Sequence, residues 1–279
     1  MSGFGTATEF VSRLDPPGTG LAGYDKTKSW KEQPSSIPQT FRDALAVREE
    51  VFGEQGVPLE VEVDEDDARA YHWVTYASVA QTTLPPPTIT PDKDWISPAE
   101  EQRRSSATAQ RVPVGAIRLI PPPHGPNPYK LDGDLKTGAD EKSQTDEKIQ
   151  PSKKHPMEPY IKLGRLSVIA PYRRLGLGTM LVNTALDYAA NNHDIVTPAP
   201  SPTTMEALGK EGQKYVIWQG LVMIHAQVDA EAHWVRHGFA EELIDEEGAV
   251  EIPAEEHWTE EGIEHIAMWK RLKLADTRL

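Results

Sequence analysis

The chain has 279 residues, of which 38% are apolar, so it is long enough for one large domain with a substantial core or for two small ones. Its formal net charge of −14 argues against general nucleic-acid binding, which requires a basic surface. The chain has no cysteine, which excludes disulfides, a cysteine nucleophile and thiolate metal sites. The first residues lack the pattern of a secretory signal, and no apolar run reaches the roughly 18 residues of a membrane helix. We expect a protein of the cytoplasm, with the nucleus left open, that binds no metal, nucleic acid or membrane.

Ordered elements are predicted from residue 37 onward, after an N-terminal segment, 1–36, that is rich in Gly, Pro, Ser and Lys and is expected to be loosely ordered. Phe41, Leu45 and Val51 recur at helical spacing and predict a helix. An extended acidic stretch, "FGEQGVPLEVEVDEDD", should follow it. Two strands are predicted next, at "HWVTYA" and at "VPVGAIRLI".

Three segments interrupt this pattern: 81–110, 121–156 and 191–214. The first contains a triple proline and a Ser/Ala/Arg-rich run, and the second carries turn residues throughout with almost no apolar anchors. Structureless loops of this length are uncommon inside a compact domain. We interpret all three as flexible insertions into one domain that spans 37–279.

A strand with a change of phase is predicted at "YIKLGRLSV". Ile161 and Leu163 alternate in one register, whereas Val168 belongs to the other. A period-two pattern that slips by one residue indicates a β-bulge, here near Gly164 or Arg165.

The last third of the chain predicts a helix and strand followed by a shorter helix and strand. A mostly buried helix should begin near Gly178, and "GLVMIHAQ" is typical of a strand covered on both faces. "AEAHWVRHGF" predicts a short helix ended by Gly238, and "GIEHIAMWKRL" predicts a final strand.

The loop "YRRLGLG" joins the bulged strand to the buried helix. Backbone amides at a helix N-terminus attract anions, and Gly176 and Gly178 would let a phosphate approach the backbone closely. Arg173 and Arg174 add positive charge. From the glycines alone, a plain strand-to-helix turn with solvated arginines is an equally good interpretation. The GxxxxGK[ST] loop is absent, and Leu181 occupies the third glycine position of the GxGxxG dinucleotide fingerprint.

Several motifs, in the same order along the chain, resemble one enzyme family. Arg173-x-x-Gly176-x-Gly178 is similar to the R/Q-x-x-G-x-G/A loop of the GNAT superfamily of N-acetyltransferases. Gln227-x-x-Ala230-x-x-x-Trp234-x-x-x-Gly238-Phe239 resembles the family's N-x-x-A-x-x-x-Y-x-x-x-G-F pattern. "VREEVFGEQ" looks like the R-x-x-V-F-x-x-E-Q helix of the ElaA-like branch with one residue fewer before Glu54, and "GIEHIAMWKRL" resembles that branch's closing strand.

This resemblance implies a GNAT-type α/β (α+β) fold, with a twisted mixed sheet, a splayed parallel strand pair and flanking helices. It covers roughly Phe41 to Val79 and Val112 to Leu274. It also implies transfer of an acetyl group from acetyl-CoA to a primary amine. The acceptor would be a small-molecule or peptide amine, and the enzyme a monomer or homodimer.

The resemblance further implies which residues hold acetyl-CoA. The glycine loop would bind the pyrophosphate, the strand before it the pantetheine arm, and the downstream motif would contribute an amide and an aromatic wall. The expected cofactor-binding residues are Leu166, Ser167, Val168, Arg173, Arg174, Leu175, Gly176, Leu177, Gly178, Thr179, Gln227 and Trp234.

The catalytic residues are less specific. Glu54 is a candidate base or amine anchor, although a loop-ordering carboxylate explains it as well, and His225 is a second candidate base, although it also fits a buried histidine. The acidic run from Asp64 to Asp67 could attract an amine, but a solvated charge run is the more common arrangement. Trp234 stands where the family has tyrosine, and an indole cannot supply a proton near neutral pH.

Two other functions are compatible with the same residues. The chain could be a catalytically inactive acetyl-CoA-binding module with a regulatory or interaction role, which Trp234 and the uncertain base would explain. An unrelated nucleotide binder that uses the glycine loop is the third interpretation.

Overall fold

The computed structural model describes residues 10–81, 108–125, 127, 129, 158–213 and 215–275 of the chain. Its strands are β1 (Val11–Leu14), β2 (Tyr71–Gln81), β3 (Thr108–Ile120), β4 (Ile161–Val168), β5 (Leu221–Gln227), β6 (Leu243–Ile244), β7 (Val250–Ile252), β8 (Trp258–Glu260) and β9 (Ile263–Arg271). Its α-helices are α1 (Gln39–Gly53), α2 (Leu59–Glu62), α3 (Leu177–Asn191), α4 (His193–Val196), α5 (Pro202–Gln213) and α6 (Glu231–Arg236).

A seven-stranded mixed sheet, in the order β1-β2-β3-β4-β5-β9-β8, organises these elements. Every neighbouring pair in it is antiparallel except β4 and β5, which run parallel. Strands β6 and β7 form a separate small hairpin. The predicted fold class, a mixed sheet with one parallel pair and flanking helices, is confirmed.

Helices cover both faces of the sheet. The apolar side of α3 packs on one face, where Leu181 and Ala185 lie in the main core with Trp73 and Ile224. Helix α1 lies on the other face, over β2, β3 and the end of β4. Burial on both sides explains why "GLVMIHAQ" is apolar at nearly every position, as the sequence predicted.

The predicted bulge is present in β4. Ala116 of β3 is opposite Ser167, whereas Arg118 is opposite Gly164, so β4 carries one more residue than β3 over this interval. Within it, Arg165 has a φ of +53°, which is uncommon for a residue other than glycine. Gly238, with a φ of +78°, follows α6 as predicted.

Part of the N-terminal segment that we expected to be loosely ordered is folded. Strand β1 pairs with β2, and Leu21, Tyr24 and Trp30 pack against the cluster around Phe41. The composition concealed this because four strand residues and a few aromatic side chains are enough to fasten the segment to an existing sheet edge.

The three expected insertions have different outcomes. Most of 81–110 and 121–156 lies outside the described residues. The third, 191–214, carries helices α4 and α5, of which α5 is broken at Gly209 with a φ of +60°. Its prolines and threonines occur at helix starts and in the links between helices, so the turn residues delimit short helices there.

The acidic stretch after α1 is not extended, contrary to expectation, and two of its carboxylates, Glu62 and Asp67, are buried rather than solvated. It forms α2 and a 3-10 turn, Glu65–Ala68, in which Asp64 and Asp67 form a reciprocal capping box. Asp67 is fully buried, and its carboxylate pairs with Arg48 at 2.8 Å and with Arg118 at 3.0 Å. Burial opposes its ionisation, but the guanidiniums of Arg118 and Arg48 outweigh burial and hold the pKa of Asp67 well below its usual range.

Six alternating charges make up this buried ionic network. Arg48 also pairs with the Glu62 carboxylate, and Arg118 forms two hydrogen bonds to Asp64, of 2.7 and 2.6 Å. Arg165, from the bulge, reaches Asp64 at 3.5 Å. The network therefore joins α1, the acidic segment, β3 and the bulge of β4.

His72 of β2 lies directly beside the network and is almost completely buried. Its Nε2 donates to the Asp67 carbonyl oxygen over 2.9 Å, and its ring meets Phe41 edge to face. Burial lowers the pKa of His72 to about 4, against the attraction of the Asp67 carboxylate. The folded protein thus holds this imidazole neutral.

Neutral burial of His72 predicts a loss of stability in mild acid. An unfolded histidine takes up a proton below about pH 6.5, but the folded one does so only near its pKa of about 4, so stability falls as pH drops between these values. His72→Gln keeps a donor for the Asp67 carbonyl but does not titrate. Urea unfolding at pH 6 and pH 5 should show the wild type losing about 1 kcal/mol more than the variant across that unit. Equal losses would contradict the buried neutral histidine.

Candidate functional site

The parallel strands β4 and β5 separate into an open wedge. They pair from Ile161 opposite Val222 to Leu163 opposite Ile224, and the pairing ends there although both strands continue. Beyond that point β5 is bonded to β9 on its other side, and β4 to β3. The edge of β4 at Leu166 to Val168 therefore faces the wedge with backbone groups that an amide-containing ligand can use.

A helix N-terminus opens beside this wedge. Gly176, with a φ of +79°, is the N-cap of α3, where no side chain makes a capping hydrogen bond and the first turn carries no acidic residue. Arg174 before it has a φ of +65°, so two left-handed residues turn the loop around the helix start. Leu175 between them is 67% exposed, which places the loop at the surface. These features fit an anion held by backbone amides.

Neighbouring elements contact both ends of the loop, at Arg173 and at Gly178. Arg173 Nε donates to the Val168 carbonyl over 2.9 Å, which ties the loop to the end of β4. A Cβ at Gly178 would lie 3.5 Å from Cε1 of His233, an ordinary van der Waals distance, so α6 packs directly beside this position. The side chain of Ser167 is buried, and its hydroxyl donates to the Arg165 carbonyl over 3.3 Å. A ligand in the wedge could therefore use only the backbone of Ser167.

Glu54 lies beside the loop rather than in a pocket. It is the C-cap residue of α1, its side chain is half exposed, and Oε2 is 3.6 Å from Nη2 of Arg173. This position suits a residue that steadies Arg173. It does not favour the alternative role of a base for a bound acceptor.

A pocket lies across the wedge from this loop, on the face of the sheet that α1 covers. It combines the end of α1 and the segment after it, the bulge of β4, the end of β5 and the β8–β9 hairpin. Its lining residues are Phe52, Val57, Val61, Glu62, Tyr129, Arg165, Gln227, Glu260, Glu261, Ile263 and His265.

Gln227 joins the wedge to this pocket. It is the last residue of β5, and its Nε2 donates to Oε1 of Gln55 over 2.7 Å. The hydrogen bond connects two segments that are 172 residues apart in sequence. Gln227 was expected from its motif position, and the structure adds its place in the wall of the pocket.

His225 and Trp234 lie outside this pocket lining. His225 meets Trp258 edge to face, with ring centroids 4.7 Å apart, two residues before the end of β5. Trp234 is 5% exposed and packs on Phe239 in the main core. Its burial leaves little of the indole surface open to a ligand.

Backbone strain is concentrated at the same place. In the described part of the chain, Arg165, Arg174 and Glu261 are the residues other than glycine with positive φ. Two of them line the pocket and the third belongs to the loop at the start of α3. Such conformations cost about 1–3 kcal/mol each and cluster at functional sites, so this coincidence independently marks the site.

Residues 66–198 match the model of the acetyltransferase (GNAT) family. This segment belongs to the GNAT superfamily of acetyltransferases. The matched segment runs from the acidic segment through β4, the glycine loop and α3 to the end of α4, so it includes the strand and the loop from which the sequence resemblance began.

Three solved structures show a weak similarity to this chain. An acyl-CoA N-acyltransferase from Pseudomonas aeruginosa is 18% identical with a TM-score of 0.38, covering 87% of this chain and 95% of its own. Escherichia coli ElaA is 15% identical with a TM-score of 0.39, covering 93% and 97%. AtaTR, bound with AcCoA, is 13% identical with a TM-score of 0.30, covering 87% and 92%. Comparison with curated proteins finds no match. The family assignment therefore rests on the matched segment and the motifs, and the ElaA-like branch rests on the motifs alone.

The GNAT assignment makes the chain an acyltransferase by fold, in a family that typically binds acyl-CoA. Within the described ranges, no helix is long and apolar enough to cross a membrane.

Sequence reasoning missed most of the residues that line this pocket. Glu62, Arg165 and Glu260 belong to no motif, because the pocket is assembled from segments far apart in the chain. One local signal was available: the dipeptide at 261–262, Glu-Gly, separates two β patterns and marks the hairpin that brings Glu261 to the pocket.

The loop geometry predicts that CoA affinity depends on Gly176. Valine at a φ of +79° is strained, and relaxing that strain would turn the loop amides away from a bound phosphate. Gly176→Val should weaken CoA binding at least tenfold in calorimetric titration. Gly248→Val is the matched control: its φ is +85°, it also has open space around a Cβ, and it lies between β6 and β7, away from the loop. Equal affinities of the two variants would contradict the anion site.

Proposed function

We propose that this protein transfers an acetyl group from acetyl-CoA to a primary amine. The observation that carries the proposal is the position of Gln227, where an open wedge with an anion-binding loop meets a separate pocket with acidic residues. Direct transfer needs two substrates held side by side with their reacting atoms in contact. A wedge and a pocket that share one wall supply that arrangement.

The cofactor side would use backbone more than side chains. The amides from Arg173 to Thr179 at the start of α3 suit the pyrophosphate, with Arg173 and Arg174 adding charge. The unpaired edge of β4 at Leu166 to Val168 suits the amides of the pantetheine arm. Gln227 can offer its remaining amide groups to the cofactor, whereas buried Trp234 supports the wall behind it.

The acceptor side favours a positively charged amine. Glu260 and Glu261 bring two carboxylates to the lining, while the guanidinium of Arg165 is engaged by the carbonyls of Val61 and Glu62. A pocket whose cation is already bound and whose outer anions are exposed attracts cations more than anions. Phe52 gives the same pocket an apolar wall for the carbon skeleton of the acceptor.

The reaction needs no proton donor of the tyrosine type. The amine lone pair attacks the thioester carbonyl, the nitrogen loses a proton, and the carbon–sulfur bond breaks to release a thiolate. A free thiol has a pKa of about 8.5, so the thiolate is stable enough to leave and take a proton from water. Trp234 in the tyrosine position is therefore compatible with turnover.

Thiol release tests the proposal directly. The protein would be incubated with acetyl-CoA and a panel of amines: polyamines, amino sugars, arylamines, amino acids and lysine peptides. CoA release would be followed with a thiol reagent, and each product by mass. We expect CoA release that depends on the amine. Each acetylated product should be about 42 Da heavier than its amine, because acetylation adds C₂H₂O. CoA binding without release for any amine would instead support the inactive binding module, and displacement of acetyl-CoA by ATP or NAD would support a nucleotide binder.

Glu261 predicts a trade between stability and acceptor binding. Glu261 and Gly262 have φ values of +49° and +80° in a two-residue hairpin, the pattern of a type I′ turn, which favours Asn before Gly. Glu261→Asn should raise the free energy of unfolding by about 1 kcal/mol by relieving strain, and should raise KM for a cationic acceptor several-fold. Urea unfolding and steady-state kinetics would measure both. Glu246→Asn, an exposed glutamate in the β6–β7 turn region, is the control for a generic charge effect. A KM as low as in the wild type would contradict the role of Glu261.

A further inference from the structure

His265 lies within the closing-strand pattern "GIEHIAMWKRL" and is one of the residues that line the pocket. It lies on β9 directly opposite Gln227 in the antiparallel pair with β5. Opposed residues of such a pair project to the same face with Cβ atoms about 5 Å apart. Both side chains line the acceptor pocket, so the imidazole sits next to the residue that separates the pocket from the wedge.

The proton on this imidazole is fixed by its partner. Nδ1 of His265 lies 2.9 Å from the Ile263 carbonyl oxygen. A carbonyl oxygen can only accept, so Nδ1 must carry the hydrogen and Nε2 of the neutral ring keeps its lone pair. The ring also stacks on Trp258 with an interplanar angle of 23°, which limits its rotation.

We propose that Nε2 of His265 is the base that accepts the proton of the acceptor amine. This inference rests on the proposed function and names the proton acceptor for it. An ammonium entering the pocket gives one N–H proton to Nε2. The resulting amine lone pair forms the bond to the acetyl carbon, the carbon–sulfur bond breaks, and the electron pair leaves with the thiolate sulfur, which takes up the second proton that the new amide nitrogen loses. The imidazolium later returns its proton to water.

The surroundings of His265 stabilise the imidazolium that this step creates. Glu260 lies on the facing strand β8, and Glu261 lies in the turn between β8 and β9. Across the pocket, Glu62 and Arg165 largely neutralise each other at 3.6 Å. On β5, His225 reaches Trp258 rather than the pocket lining. The balance of charge facing the ring is therefore negative.

The two bases considered from sequence are less well placed. Glu54 is directed to Arg173, beside the cofactor loop. His225 is two residues before Gln227 on the same face of β5, with Trp258 between it and His265. Neither side chain lines the pocket, whereas His265 does.

His265→Asn tests the proposal with little structural change. The asparagine amide can replace the Nδ1 hydrogen bond to the Ile263 carbonyl, but it offers nothing basic in place of Nε2. With the best alkylamine of the panel at pH 7, kcat/KM should fall about 100-fold, as is typical for loss of a general base. His257→Asn is the matched control, because His257 lies next to β8 but pairs outside the pocket with Glu241 and Glu264, and it should keep wild-type activity.

The pH profile separates a chemical role from a structural one. As pH rises toward the amine's own pKa of about 10, the free amine becomes abundant and the base is needed less, so the gap between wild type and His265→Asn should narrow. A gap that stays constant across the profile, or a loss of activity in His225→Asn but not in His265→Asn, would overturn the assignment.

Calorimetric titration with CoA distinguishes this inference from the proposed function. His265→Asn should bind CoA as the wild type does, because the cofactor loop is untouched. Wild-type protein that acetylates an amine while His265→Asn does so equally well overturns the base alone. Wild-type protein that binds CoA but acetylates no amine overturns the proposed function, and the base with it.

Discussion

The buried ionic network is the constraint on which the rest of the site depends. Three arginines and three carboxylates are placed among α1, the acidic segment, β3 and β4, and Arg48 and Asp67 have almost no contact with water. Removing one partner of such a pair typically costs about 3–5 kcal/mol, because the other charge stays buried without compensation. The network holds the acidic segment in one place against the sheet. Since Glu62 and Arg165 belong to both the network and the pocket, the shape of the pocket is set by that same balance of charge.

The two sides of the site are built from different materials. On the cofactor side, the open backbone of β4 and the start of α3 provide the groups that a ligand would meet, and glycine allows close approach. On the proposed acceptor side, charged and aromatic side chains from five separate segments form the lining. A backbone site recognises a chemical group that is always the same, whereas a side-chain site can be changed one residue at a time. This division explains why one half of the site carries a recognisable motif and the other does not.

The sequence predicted the elements whose pattern is local. The phase change within "YIKLGRLSV" located the bulge, the apolar run "GLVMIHAQ" located a strand covered on both faces, and Arg173, Gly176 and Gly178 located the loop that the structure places at the start of α3. Features that depend on distant partners were not predictable in the same way. Asp64 to Asp67 were expected to be solvated, but Asp64 pairs with Arg118, 54 residues away. The position of His265 also depends on a distant partner, because it is the pairing of β9 with β5 that places it opposite Gln227.

The order in which the network's charges leave the ribosome has its own consequence. Arg48, Glu62, Asp64 and Asp67 are made first, so this stretch emerges with one cation of the network and its three anions. Arg118 follows 54 residues after Asp64, and Arg165 follows 101 residues after it. Burying uncompensated carboxylates is unfavourable, so α1 and the acidic segment cannot dock stably until β3 and β4 have been synthesised. The N-terminal third of the nascent chain therefore stays undocked and accessible to chaperones and proteases until the middle of the chain supplies Arg118 and Arg165.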